Sequence, residues 1–188
     1  MMTARGYPKS YALRRGVILR AAVHTTMLAS EPALGGFLAW DGTDYVLNNA
    51  DGTYAAITFD GSDIVGVFFD AESSYNPYVS GGAYDIEIFF RGMPPRLRSL
   101  AERHALAYNR QNYQCRSMAL ITAAFWSVDD YLTAAFPWED VFRHGAHIVR
   151  VELLGDTDEA WQEWREAYQC SPGQLAAARA LFWRDLSK

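Results

Sequence analysis

The spacing of apolar residues changes period along this chain. Across residues 10–30, Leu13, Val17, Ile18, Ala21 and Leu28 approximate one helical face. Ser10 stands where an N-cap would, and Glu31-Pro32 ends the run. Gly16 and several β-branched residues weaken the pattern without breaking it. The period then shortens. Residues 37–40, 45–47, 54–59 and 64–69 are short runs of β-branched and aromatic side chains. Between them lie Asp41-Gly42-Thr43-Asp44, Asn49-Ala50-Asp51-Gly52 and Asp60-Gly61-Ser62-Asp63. Asp-Gly suits hairpin turns because it accepts the positive φ angles they need. This pattern predicts an antiparallel meander of four strands, with residues 84–90 as a candidate fifth.

Helical spacing returns at Pro94-Pro95, which opens a predicted helix to Asn109 carrying Leu97, Leu100, Ala101 and Leu106. Residues 116–126 read as a second helix. Residues 127–146 are ambiguous: Asp129 and Asp130 suit a helical turn, and Pro137 interrupts. Residues 147–154 fit either a short strand or a helix. Residues 156–168 form a predicted helix with Asp158 and Glu159 in its first turn. Ser171 caps a last helix, with Pro172 at its first position and Leu175, Ala178, Leu181 and Phe182 on one face. The expected class is therefore α+β, an antiparallel β-meander of four to five strands packed against several helices. No linker or repeat interrupts the 188 residues, so one domain spans 1–188. With 50% apolar residues, the chain can fill a sizeable core.

Charge adds a feature the hydrophobic pattern hides. The net charge is only −5, but residues 21–90 hold ten carboxylates and no Lys or Arg. The first twenty residues hold Arg5, Lys9, Arg14, Arg15 and Arg20 and no acid, and the remainder is balanced. A β-rich half of one sign repels nucleic acid and favours a basic partner. Solvated Asp-Gly turns explain the same residues without any partner. The run after Arg14-Arg15 is broken by Arg20, so it does not read as an export signal, and no stretch reaches membrane-spanning length. Two separated cysteines, Cys115 and Cys170, point to a reducing, cytoplasmic setting.

Candidate chemistry is sparse. The loop Asp70-Ala71-Glu72-Ser73-Ser74 places carboxylates and hydroxyls directly after a strand, where sites often lie. It also matches ordinary turn chemistry. His144 and His147 lack the further ligands zinc needs, the Asp-Gly turns lack the calcium-loop ladder, and Gly81-Gly82 is no phosphate loop. Cys115 sits where a predicted helix start would make it reactive, though buried, inert cysteine is commoner. Trp161, Trp164 and Tyr168 share one helical face, which reads as core. No cofactor is implied.

The stretch Ile64-Val65-Gly66-Val67-Phe68-Phe69-Asp70-Ala71-Glu72-Ser73, followed by Asn76-Pro77-Tyr78, resembles a motif of an uncharacterised bacterial family. In that family a strand ends in Gly-Phe-Asp-His-Glu-Ser, with Ser-Pro-Tyr after it. Gly92-Met93-Pro94 and the acidic-aromatic segment Trp161–Tyr168 resemble two further features of the family, so the likeness spans most of residues 36–185. This chain has Ala71 where the family has His, and Asn76 where it has Ser. The resemblance implies a small protein of the toxin–immunity kind.

Together these readings lead to a non-enzymatic binding module. Its expected partner is a protein with a basic surface, such as a toxin, rather than nucleic acid or membrane. A homo-oligomer is a further possibility. The candidate partner-binding residues are Asp70, Glu72, Ser73, Tyr75, Tyr78, Asp60 and Asp63. The alternative is a small hydrolase built on Asp70, Glu72 and Ser73. It requires a pocket in which these converge with His104, His144 or Cys115.

Overall fold

A computed structural model describes residues 8–81 and 84–186. The core is a six-stranded antiparallel sheet in the order β1-β2-β3-β4-β7-β8. Its first four strands are consecutive: β1 (Leu38–Trp40), β2 (Asp44–Asn48), β3 (Thr53–Asp60) and β4 (Asp63–Asp70). They form the meander that the alternating pattern predicts. β7 (Ala123–Val128) then pairs with the free edge of β4, and β8 (Tyr131–Thr133) with β7. A separate hairpin joins β5 (Arg110–Tyr113) to β6 (Arg116–Ala119).

The sheet is covered on both faces. On one, α1 (Ser10–Leu28) lays Leu13 and Val17 against Tyr45, Ile57, Ile64, Phe68 and Phe125. α5 (Trp138–Arg143) and the 3₁₀ turn Ala146–Val149 complete that layer. A short helix, α2 (Pro77–Ser80), follows β4. On the other face, α3 (Pro95–Arg103) and α4 (Ala105–Tyr108) pack Leu97, Leu100 and Leu106 on Ala56, Val65, Val67 and Trp126. β4 consequently has no solvent face, and its apolar run is nearly unbroken. Gly66 sits opposite Phe125 in the ladder, and a Cβ there would lie 2.7 Å from the ring. The bare glycine lets Phe125 lie flat across the strand.

A third cluster joins the C-terminal half of α1 to α6 (Thr157–Ala167) and α7 (Pro172–Leu186). Within this half, Arg20 donates to Glu152 Oε1 at 2.7 Å, and the Tyr45 hydroxyl donates to the same oxygen at 3.0 Å. Glu152 is fully buried. Burial is the largest single influence and works against the Arg20 charge, but Glu152 together with Tyr45 and Tyr168 outweighs it and raises the guanidinium pKa. Gly16 permits this arrangement, because a side chain there would overlap the Glu152 backbone.

Several local expectations are corrected. Residues 84–90 are not a fifth strand. They carry a 3₁₀ turn, Ile86–Phe90, started by Asp85 accepting from Glu87 N at 3.0 Å. Residues 116–126 are not a helix but β6, a connection and β7, because the β4 edge takes the apolar run as a partner strand. The helix expected to reach Asn109 breaks at His104, whose backbone leaves helical geometry. Ser10 does not cap α1: Lys9 holds the N-cap position without a side-chain bond. Ser171 does cap α7, and it forms a reciprocal box with Gln174. Cys115 lies at the exposed tip of the β5–β6 hairpin rather than at a helix start.

Candidate functional site

The sheet topology puts three turns at one end: β1–β2, β3–β4 and β7–β8. Each supplies two aspartates, namely Asp41 and Asp44, Asp60 and Asp63, and Asp129 and Asp130. Neighbouring turns are two strands apart, so the row extends roughly 20 Å across the sheet. The turns are held by polar stitches. Ser127 Oγ accepts from Ile64 N at 2.8 Å and donates to Ser62 O at 3.1 Å. Arg14 donates to Gly61 O and stacks on Phe59, with its carbon 4.9 Å from the ring centre. Ser10 N donates to Asp130 O at 3.0 Å, tying the start of α1 to the last turn. Asp129 takes φ +53, a conformation Asp tolerates better than most residues.

Cations reach only part of this row. Arg96 grips both oxygens of Asp63. Asp44 is buried, accepts from Thr58 Oγ1 at 2.6 Å and lies 3.2 Å from His104 Nδ1. Asp41 accepts from Thr43 N and Asp44 N, and these backbone bonds lower its pKa. Asp41, Asp60, Asp129 and Asp130 are exposed and have no cationic partner among the described residues. Tyr108 is 50% exposed with its hydroxyl 3.4 Å from Asp44 Oδ2, and Tyr11, next to the Ser10 tie, is 59% exposed with the Lys9 ammonium 5.3 Å from its ring centre. Val128, also exposed, precedes Asp129. Beyond this end, Glu87 is another carboxylate of the sheet half taken by an arginine, Arg98 at 2.7 Å.

The residues singled out from the sequence do not form one surface. Asp60 and Asp63 belong to the turn end. Asp70, Glu72, Ser73, Tyr75 and Tyr78 follow the other end of β4, about 23 Å away along an eight-residue strand. There the loop folds inward. Asp70 is buried and accepts from Glu72 N at 2.9 Å. Ser73 is 4% exposed, with its Oγ 2.8 Å from His144 Nδ1 and accepting from Tyr75 N at 3.1 Å. The Tyr75 ring packs edge-on against Phe89 and His144. Thr122 Oγ1 accepts from Asp70 N at 2.9 Å and donates to His144 O at 2.6 Å, closing the cluster. Burial holds the His144 pKa below its ordinary value, against the pull of Asp140 and with help from Arg143. Glu72 and Tyr78 remain exposed, although the Tyr78 hydroxyl donates to Asn112 O at 2.7 Å.

Ser73 and His144 thus meet, as the hydrolase alternative requires. His104 does not join them; it faces Asp44 at the opposite end. Asp129 and Asp130 are the members of the acidic row that sequence reasoning missed. The signal was a two-residue Asp-Asp step between apolar runs, which fits a hairpin as well as a helical turn. Among the described residues no three His, Cys, Asp or Glu side chains gather as metal ligands would. Among the same residues no helix is long and apolar enough to cross a membrane. Comparison with protein-family models, with curated proteins and with solved structures finds no match to this chain.

Proposed function

We propose that this protein is a non-enzymatic binding module that offers the turn end of its sheet to a partner with a basic surface. The observation that carries this reading is the row of six aspartates on three adjacent turns, four of them exposed without a cationic partner among the described residues. Exposed carboxylates in a row steer encounter with a cationic protein, and Tyr108 beside Asp44 is of the residue type that anchors interfaces. The resemblance of residues 64–78 to a bacterial family of the toxin–immunity kind fits a toxin as that partner. Both cysteines are unpaired, which supports a reducing, cytoplasmic setting.

The test is capture of the partner from the native host, followed by binding kinetics with Asp60→Asn, Asp129→Asn and Asp130→Asn combined. The association rate should fall about tenfold or more at low salt, and its dependence on salt should flatten. An identified partner that binds the triple variant with unchanged rate and salt dependence rejects this face. If Glu72→Gln with Tyr78→Ala weakens binding instead, the loop at the other end is the interface.

One observation favours the hydrolase reading, the 2.8 Å contact of Ser73 Oγ with His144 Nδ1. Three others weigh against it. The hydroxyl is almost wholly buried, it already accepts from Tyr75 N, and Asp70 bonds the Glu72 backbone instead of orienting the imidazole. Covalent labelling by a fluorophosphonate that disappears in Ser73→Ala would reverse this judgement.

A further inference from the structure

α1, α6 and α7 border an open cleft of about 570 Å³. Clefts of roughly 300–1,000 Å³ are the usual size of small-molecule sites. Arg15 lines it from α1, and Arg179 and Trp183 line it from α7. From α6 come Trp161 and the opening segment 155–158, which carries Asp156 and Asp158.

A pair of touching rings brings the two arginines to one place. Trp161 meets Phe182 edge-on, with ring centres 5.6 Å apart. The guanidinium carbon of Arg179 lies 5.5 Å from the Trp161 ring centre, and that of Arg15 lies 5.9 Å from the Phe182 ring centre. A guanidinium held against a ring still has in-plane N–H donors to offer. Neither arginine makes an ion pair or a side-chain hydrogen bond among the described residues, although two carboxylates line the same cleft. Asp156 is already committed: its Oδ1 accepts from Asp158 N at 2.8 Å and from Glu159 N at 3.2 Å. The first turn of α6 is therefore capped by a carboxylate and is not the seat of an anion. Asp158 is exposed, and its carboxylate has no partner among the described residues. Trp183 is 57% exposed, with its ring centre 5.0 Å from that of Phe182.

Two guanidiniums and two carboxylates leave this lining without net formal charge. It suits a ligand that joins an oxyanion to N–H or O–H donors better than it suits a bare anion. The exposed indole adds a flat surface for a ring.

We propose that the cleft binds a small molecule with three parts: an oxyanion held by Arg15 and Arg179, an aromatic ring laid on Trp183, and a hydroxyl or amino donor facing Asp158. A nucleoside monophosphate and an aromatic amino acid share this chemistry.

The experiment titrates the whole protein by calorimetry, at physiological salt, with adenosine monophosphate and separately with L-phenylalanine. At least one of them should saturate near or below about 1 mM. The matching fragment without its oxyanion, adenosine or phenethylamine, should bind at least about tenfold more weakly. Arg179→Gln and Trp183→Ala alter exposed positions, so circular dichroism should stay native while each weakens binding about fivefold or more. Arg15→Gln combined with Arg179→Gln should abolish binding. If that double variant fails to fold, the two exposed single variants decide. Saturation by adenosine monophosphate alone assigns a nucleotide, and saturation by phenylalanine alone assigns an amino acid. No saturation by either probe would overturn the proposal. So would unchanged affinity in Arg179→Gln or in Trp183→Ala, or inorganic phosphate binding as tightly as adenosine monophosphate. The triple Asp→Asn variant of the turn end should bind both probes as the wild type does, which separates this site from the interface.

Discussion

At one end of the sheet Asp41, Asp60, Asp129 and Asp130 stand in solvent without an ion-pair partner among the described residues, while at the other Asp70, Ser73 and His144 are folded in on one another. The two ends use the same residue types, in turns of similar composition. What separates them is the layer beyond the turn. The turn end faces water between α1 and α4, whereas α5, the Ala146–Val149 turn and the Ile86–Phe90 turn close over the other. An aspartate under such a cover has to be matched by donors within the protein, and Glu72 N supplies one for Asp70. An exposed aspartate needs no such match and stays available to a partner. The contrast therefore predicts that substitutions at the covered end cost stability and that substitutions of the exposed aspartates at the open end cost only binding.

The largest effect should come from Gly145→Ala. Gly145 holds φ +135, which L side chains rarely adopt, and a Cβ there would lie 2.8 Å from the Phe68 Cβ. Strain and overpacking together should destabilise by roughly 3–5 kcal/mol in denaturant unfolding. A loss below about 1 kcal/mol would mean that the cover is loose and the contrast between the ends overstated. Next comes Thr122→Val, which keeps the shape but removes the oxygen shared by Asp70 N and His144 O. It should cost about 1–3 kcal/mol, because a buried donor and a buried acceptor both lose their partner.

The pH dependence should separate the ends further. The folded-state pKa of His144 lies below its ordinary value of 6.5. Its contribution to stability is therefore complete above that value and declines as the pH falls towards the folded pKa, because the unfolded chain protonates first. Asp70, Asp140 and Arg143 are the charges that act on this ring. Asp41 also has a lowered pKa, set by backbone bonds, but its contribution is lost only below the carboxylate value of 3.8. Melting temperatures between pH 7 and 5 should therefore fall less in His144→Gln than in wild type. His24, also lowered by burial, accounts for a remaining slope common to both. Identical slopes would place the pH response elsewhere.

The smallest effect should come from Asp60→Asn, Asp129→Asn and Asp130→Asn combined. Asn tolerates the positive φ at position 129, and none of the three carboxylates has a cationic partner among the described residues. Each change should alter unfolding free energy by no more than about 0.5 kcal/mol. A larger loss would show that these carboxylates are matched within the fold and are not free for a partner.

The legibility of the sequence follows the same division. β1 to β4 were readable because alternation and Asp-Gly turns are local signals, and both survive in the fold. β7 was not readable: Ala123–Val128 is an apolar run without a period of its own, and the unpaired edge of β4 made it a strand. The helix expected through residue 109 fails at His104, where Asp44, sixty residues away in sequence, meets the ring. The anionic character of the sheet half was visible in the sequence. That Arg96 and Arg98 would reach back to Asp63 and Glu87 was not.

By itself, then, the sequence determined the α+β class, the four-strand meander and the sign of its charge, because these depend on residue type and near-neighbour spacing. Only the tertiary structure decided which aspartates face water. It assembled the acidic row by adding Asp129 and Asp130 to the turns of the meander, and it withdrew Asp70, Ser73 and Tyr75 into the interior. The physical reason is that exposure of a turn depends on what packs over it, and that much of this covering, α5 and the Ala146–Val149 turn, lies more than sixty residues beyond Asp70 in sequence.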